Sequence, residues 1–197
     1  MQKELTNQAM ALFDSPEKWN AFLDLVSIKD FIKNKWFEKL KIALVKRFKQ
    51  EDYIEGWEFD VTGMGWVTGM GWHLKKFGKD SLSIWLENYY TDYSLWVKSE
   101  YFDSDEVTKL LKTEEFSSLL SPFTQYYEIY QGDYKIREKM DYVFDNQFKN
   151  LNSEQLAWFA GHKTEDFVNQ IAEKVDIFIK DKELTKLFME LNEKTKK

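Results

Sequence analysis

Apolar residues recur at helical spacing at both ends of the chain and alternate in its middle. Leu5, Ala9 and Leu12 mark one side of a short helix over residues 2–12. Asp14-Ser15-Pro16-Glu17 reads as the next helix start, with Asp14 or Ser15 as cap and Pro16 in the first turn, where its missing N–H is not needed. Trp19, Phe22, Leu23 and Val26 follow at helical spacing, and Ser27 with Asp30 predicts a break near Ser27. A long helix is expected from about Ile28 to Phe48, with Ile32, Trp36, Leu40, Ala43, Leu44 and Phe48 as its apolar stripe.

The period then shortens. Trp57, Phe59 and Val61 alternate with Glu58 and Asp60, and Leu82, Ile84 and Leu86 alternate with Ser83 and Trp85. A turn over residues 75–80 and a further strand over 95–101 imply antiparallel neighbours, because the connections are too short for crossovers. Gln131-Gly132-Asp133 between Tyr126–Tyr130 and Tyr134–Ile136 reads as a second hairpin. Helical patterns return at Ser104 to Leu111, Glu114 to Leu120, and from Ser153 onward. The last run has a stop at Gly161, a cap at Thr164 and a hinge near Asp181.

Helices segregated from strands predict an α+β fold rather than α/β: an antiparallel sheet of about four to six strands, flanked by N-terminal and C-terminal helices. No Pro/Gly/Ser linker divides the chain, so residues 1–197 are expected to form a single domain. Its parts are N-terminal helices over 1–50, a β-rich middle over 53–145 and C-terminal helices over 153–195.

One motif stands apart. Val61-Thr62-Gly63-Met64-Gly65-Trp66 is followed at once by an identical copy, Val67 to Trp72. The bland interpretation is a duplication that lengthened a hairpin, since loop length adds closure cost only logarithmically. The functional interpretation is an apolar tip presenting Trp66, Trp72, Met64 and Met70 to a partner, because residues six apart in an extended chain face the same way. A phosphate-binding loop is excluded: the third glycine, the following helix and any Gly-Lys-Ser/Thr are missing.

Composition narrows the chemistry. The chain has 197 residues, no Cys, 17% aromatic residues and a net charge of −6. Without Cys there is no disulfide, thiolate nucleophile or Cys-type zinc site, in keeping with a reducing, cytoplasmic setting. No basic patch followed by an apolar run marks a secretory signal, and no apolar stretch approaches the roughly 20 residues of a membrane span. Residues 29–49 hold eight bases against Asp30 and Glu38, while residues 87–145 hold thirteen acids against six bases. The surface is therefore polarised.

Catalytic constellations are sparse. His73 and His162 stand far apart in sequence, and no Gly-x-Ser-x-Gly elbow occurs. Asp133-Tyr134-Lys135 has the acid-x-Lys spacing of Mg²⁺-dependent nucleases, with Glu58 or Asp60 able to supply the first acid, because Mg²⁺ takes oxygen ligands. Lys33, Lys35, Lys39, Lys46 and Arg47 would give such an enzyme a basic helix for nucleic acid. An aromatic ligand pocket around Trp57, Trp85 and Trp96 is a third option. The pattern as a whole favours a non-enzymatic binding or regulatory protein acting on a protein partner, using an acidic, aromatic-rich surface and requiring no cofactor. The alternative is the Mg²⁺-dependent nuclease or nucleic-acid binder.

Overall fold

The computed structural model describes residues 2–49, 55–62, 69–87, 92–97, 100–123, 126–128, 134–139 and 153–197. Among them are helices α1 (Gln2–Leu12), α2 (Pro16–Ser27) and α3 (Lys29–Phe48), then strands β1 (Trp57–Thr62), β2 (Gly69–Leu74), β3 (Ser83–Glu87) and β4 (Asp92–Trp96). Helix α4 (Ser104–Leu111), a 3₁₀ turn (Ser117–Leu120) and strands β5 (Tyr126–Glu128) and β6 (Tyr134–Lys139) follow. Helices α5 (Ser153–His162), α6 (Thr164–Ile179) and α7 (Lys182–Thr195) end the chain. The fold is α+β, as helical and alternating patterns in separate stretches require.

The strands lie in the order β1-β2-β3-β4-β6-β5, every neighbouring pair antiparallel. Registers Phe59↔Trp72 and Trp72↔Ile84 put these three side chains on one face. That face carries the core against α3, α6 and α7. Trp72 is fully buried, with Phe48 of α3 at 5.1 Å and Phe59 at 5.2 Å between ring centroids. Trp57 stacks on Phe188 at 5.3 Å and meets Phe178 edge-on at 6.0 Å, tying the β1 edge to α6 and α7. Register Asp60↔Gly71↔Trp85 defines the opposite face.

Local chemistry sets several boundaries. Ser15 is extended and accepts a hydrogen bond from the Lys18 amide, with Pro16 at the first helical position, as the sequence predicts. Asp181 accepts from the amides of Glu183 (2.9 Å) and Leu184 (3.0 Å), converting the expected hinge into the N-cap of α7. Asp181→Ala is expected to cost about 1 kcal/mol in denaturant unfolding, the usual loss of a capping carboxylate. An unchanged midpoint would show that the cap contributes nothing.

The stripe on α3 differs from expectation. Its buried residues are Lys33, Phe37, Leu40, Leu44 and Phe48, while Trp36 and Ile32 are only half-buried. Leu40, Leu44 and Phe48 sit as predicted, but the upstream half is rotated by one residue. Sequence periodicity disfavoured a lysine on the inner face. Lys33 enters it because its ammonium reaches Glu154 of α5 at 3.1 Å, and a buried charge is tolerated when paired.

Candidate interaction surface

Helices α1 and α2 carry several large apolar residues yet bury almost nothing. In α2, Trp19, Phe22, Leu23 and Val26 fall on one side and Ala21 with Leu25 on the other, so apolar residues occupy opposite faces. A helix apolar on opposite faces normally lies inside a protein. Here α2 has no buried residue, and every described side chain of α1 is exposed. Phe13, Trp19 and Phe22 form a small ring cluster, with centroids 4.6–5.6 Å apart, that holds the corner between the two helices. The rest of their apolar surface faces outward.

The outer side of α3 continues this surface. Phe31 and Ile42 are 62% and 63% exposed. They line, with the half-buried Val45 and the edge of Phe37, a groove of about 570 Å³ whose described lining residues all belong to α3. Lys35 and Lys41 stand beside it. Lys35 reaches Glu38 at 2.9 Å, and this hydrogen bond holds the Glu38 carboxyl below the usual carboxylate range. Ten of the exposed large apolar side chains lie between Leu5 and Ile42; elsewhere among the described residues only Tyr101 and Ile177 are comparably exposed. Such concentration is unusual, whereas scattered exposed apolar residues are ordinary.

Neither family models, curated proteins nor solved structures match this chain.

The residues singled out from the sequence fall elsewhere. Met70 and Trp72 are not an apolar tip: both point from β2 into the core, 1% and 0% exposed, packed under α3. Met64 and Trp66 lie outside the described residues. The described parts of the two hexapeptide copies occupy different places, Val61 and Thr62 ending β1 and Gly69 to Trp72 opening β2. Within β2 the glycines have a packing reason. A Cβ at Gly69 or Gly71 would lie 2.5 or 2.4 Å from the Trp85 ring, which lies flat on that face and meets Trp96 at 5.2 Å. The clue available in the sequence was the alternation Gly69-Met70-Gly71-Trp72, large residues on one face and none on the other. Trp57 is on the opposite face of the sheet from Trp85 and Trp96, so the three do not line one pocket.

The proposed nuclease centre is not brought together. Glu58 and Asp60 project from β1, while Lys135 sits on β6, four strand spacings or about 19 Å away. Lys135 is fully buried and donates to the Ser104 hydroxyl at the start of α4. Asp133 lies outside the described residues. Glu58 and Asp60 instead flank His73, which is paired directly with Glu58 in the ladder. The Glu58 carboxylate is 3.4 Å from Nε2 of His73 and that of Asp60 is 3.6 Å from Nδ1. The imidazole, carried by β2, is buried with one carboxylate near each ring nitrogen. Among the described residues no group of three or more His, Asp or Glu side chains has the geometry to hold a metal ion.

The basic helix is largely engaged within the molecule. Lys33 pairs with Glu154, and Lys39 donates to the Gly161 carbonyl at 2.6 Å. Arg47 approaches Asp176 at 3.7 Å. Lys46 is exposed and borders a second groove of about 550 Å³ between α3 and the α5–α6 junction, alongside Lys39 and His162. Nδ1 of His162 lies 3.1 Å from the Trp158 carbonyl, and its ring stacks on Trp158 at 4.8 Å. This histidine closes the last turn of α5, as its position at a helix C-terminus suggested. No described helix is long and apolar enough to cross a membrane.

Proposed function

We propose that this chain is a binding protein, acting on a protein partner through the outward apolar face of α1, α2 and the outer side of α3. One observation supports the reading above others: ten large apolar side chains between residues 5 and 42 are 45–69% exposed, on α1, α2, α3 and the joint at Ile28. Summed over α1, α2 and α3, these side chains uncover on the order of 1,000 Å² of apolar surface, distributed over more than one helix face, where exposed apolar residues on a monomer ordinarily stand singly. The lysines along the groove suit a partner segment that is apolar on one side and acidic on its flanks.

A photo-crosslinking residue placed at Leu23 or Ile42 is expected to capture a polypeptide in cells, and Leu23→Asp is expected to abolish capture at Ile42. A charge in the centre of an interface costs about 2 kcal/mol or more, roughly 30-fold in affinity. Crosslinking at Tyr101, exposed beside the α7 terminus, serves as the comparison. Equal capture at all three positions would overturn the reading.

A further inference from the structure

We infer that the occupant of the α3 groove is the α1–α2 arm of a second copy of this chain, each arm lying along the other copy's α3. The inference rests on the reading that this face is an interaction surface, and it names the partner.

Three observations point to a second copy. The arm and the groove match in character. Residues 2–27 carry Glu4, Asp14, Glu17 and Asp24 against Lys3 and Lys18, a net −2, around an apolar body formed by Leu5, Leu12, Trp19, Leu23 and Val26. Several bases of α3 are engaged elsewhere, Lys29 and Lys33 with Glu154, Lys39 with the Gly161 carbonyl and Arg47 with Asp176; beside the apolar floor stand Lys35 and Lys41 with Glu38, a net +1. Acidic apolar helices against a basic apolar groove are electrostatically complementary.

The arm also cannot reach its own groove. Only Ile28 separates α2 from α3, and the helical bonding nearly runs through it: its amide donates to Asp24 (3.2 Å) and its carbonyl accepts from Ile32 (3.0 Å). Folding one helix back along the next needs a connection of about 2–5 residues. The joint holds α2 off the outer face of α3, which is why both stay exposed in the single chain.

Finally, arm and groove occur on the same chain, so one two-fold axis satisfies both at once. Such a pairing is self-complementary and closes as a dimer without leaving a further arm or groove to propagate.

Sedimentation of the full chain is expected to give a species of twice 23.7 kDa at micromolar concentration. Leu23→Asp in the arm and Ile42→Asp in the groove are each expected to yield monomer, with the dissociation constant raised at least about 10-fold. Both side chains are exposed, so circular dichroism should be unchanged and the thermal midpoint should equal that of the parent chain diluted below its dissociation constant, separating loss of assembly from loss of fold. The deciding step is to mix the two variants. A Leu23→Asp chain retains an intact groove and an Ile42→Asp chain an intact arm, so one good arm–groove pair is restored and a heterodimer should appear. A monomeric full chain, or variants that fail to associate on mixing, would overturn the second-copy assignment. If the full chain is monomeric while crosslinks at Leu23 and Ile42 still capture a different polypeptide, the interaction surface stands and only its occupant is wrong. If neither self-association nor those crosslinks occur, both readings fall.

Discussion

Trp57→Ala is expected to lower the unfolding free energy by about 3–5 kcal/mol, the range for truncating a fully packed large aromatic residue. Trp57 is 2% exposed at the β1 edge, and its indole lies between two helices. It stacks on Phe188 of α7 with an interplanar angle of 17° and meets Phe178 of α6 at 88°. Its Nε1 donates to the Thr185 hydroxyl at 3.3 Å. Truncation removes the contact that ties the sheet edge to both C-terminal helices, and the surrounding rings are too rigid to refill the space. Trp57→Phe keeps most of the ring contact and loses the hydrogen bond, so its cost should be nearer 1 kcal/mol. Chemical denaturation followed by both circular dichroism and fluorescence gives the two values. Equal losses for Ala and Phe would show that the hydrogen bond, and not the stacking, carries the energy.

Gly161→Val is expected to cost about 3 kcal/mol, through overpacking rather than backbone strain. Gly161 closes α5 where that helix crosses α3. A Cβ there would lie 2.3 Å from Cδ1 and 2.5 Å from Cγ of Trp36. These atoms adjoin the attachment of the ring, so swinging the ring tip does not clear them. The helix-propensity gain of replacing glycine is only a few tenths of a kcal/mol for valine, too small to offset the clash. The Gly161 carbonyl also accepts from Lys39, so displacing α5 strains that contact as well. In a Trp36→Ala background the same substitution should lose most of its effect, because the obstructing ring is gone. Additive costs in the double-variant cycle would place the strain elsewhere.

The functional residues were less legible than the fold. The exposed face of α1 and α2 was visible as an apolar stripe, but a stripe at helical spacing normally marks a core, and nothing in the spacing distinguishes a covered stripe from an open one. The tandem repeat misled in the opposite way. Trp72 and Met70 resembled loop residues because glycines surround them, whereas Gly69 and Gly71 are strand residues that leave room for Trp85. Lys33 and Lys39 counted as surface charge until Glu154 and the Gly161 carbonyl appeared beside them. In the last two cases the missing information was a partner distant in the chain, Trp85, Glu154 or Gly161.

The amino-acid order by itself determined the helices at either end, a cap for α2 at Asp14 or Ser15, the alternation of β1 and β3, and hence an α+β chain. Those properties depend on neighbours within a turn or a strand repeat, so they are written locally. Only the tertiary structure decided which face of α3 turns inward, that Glu58 and Asp60 meet His73 rather than Lys135, and that α1 and α2 stay uncovered. These outcomes depend on strand order and helix packing, where a single residue, Ile28, sets the direction of an entire arm.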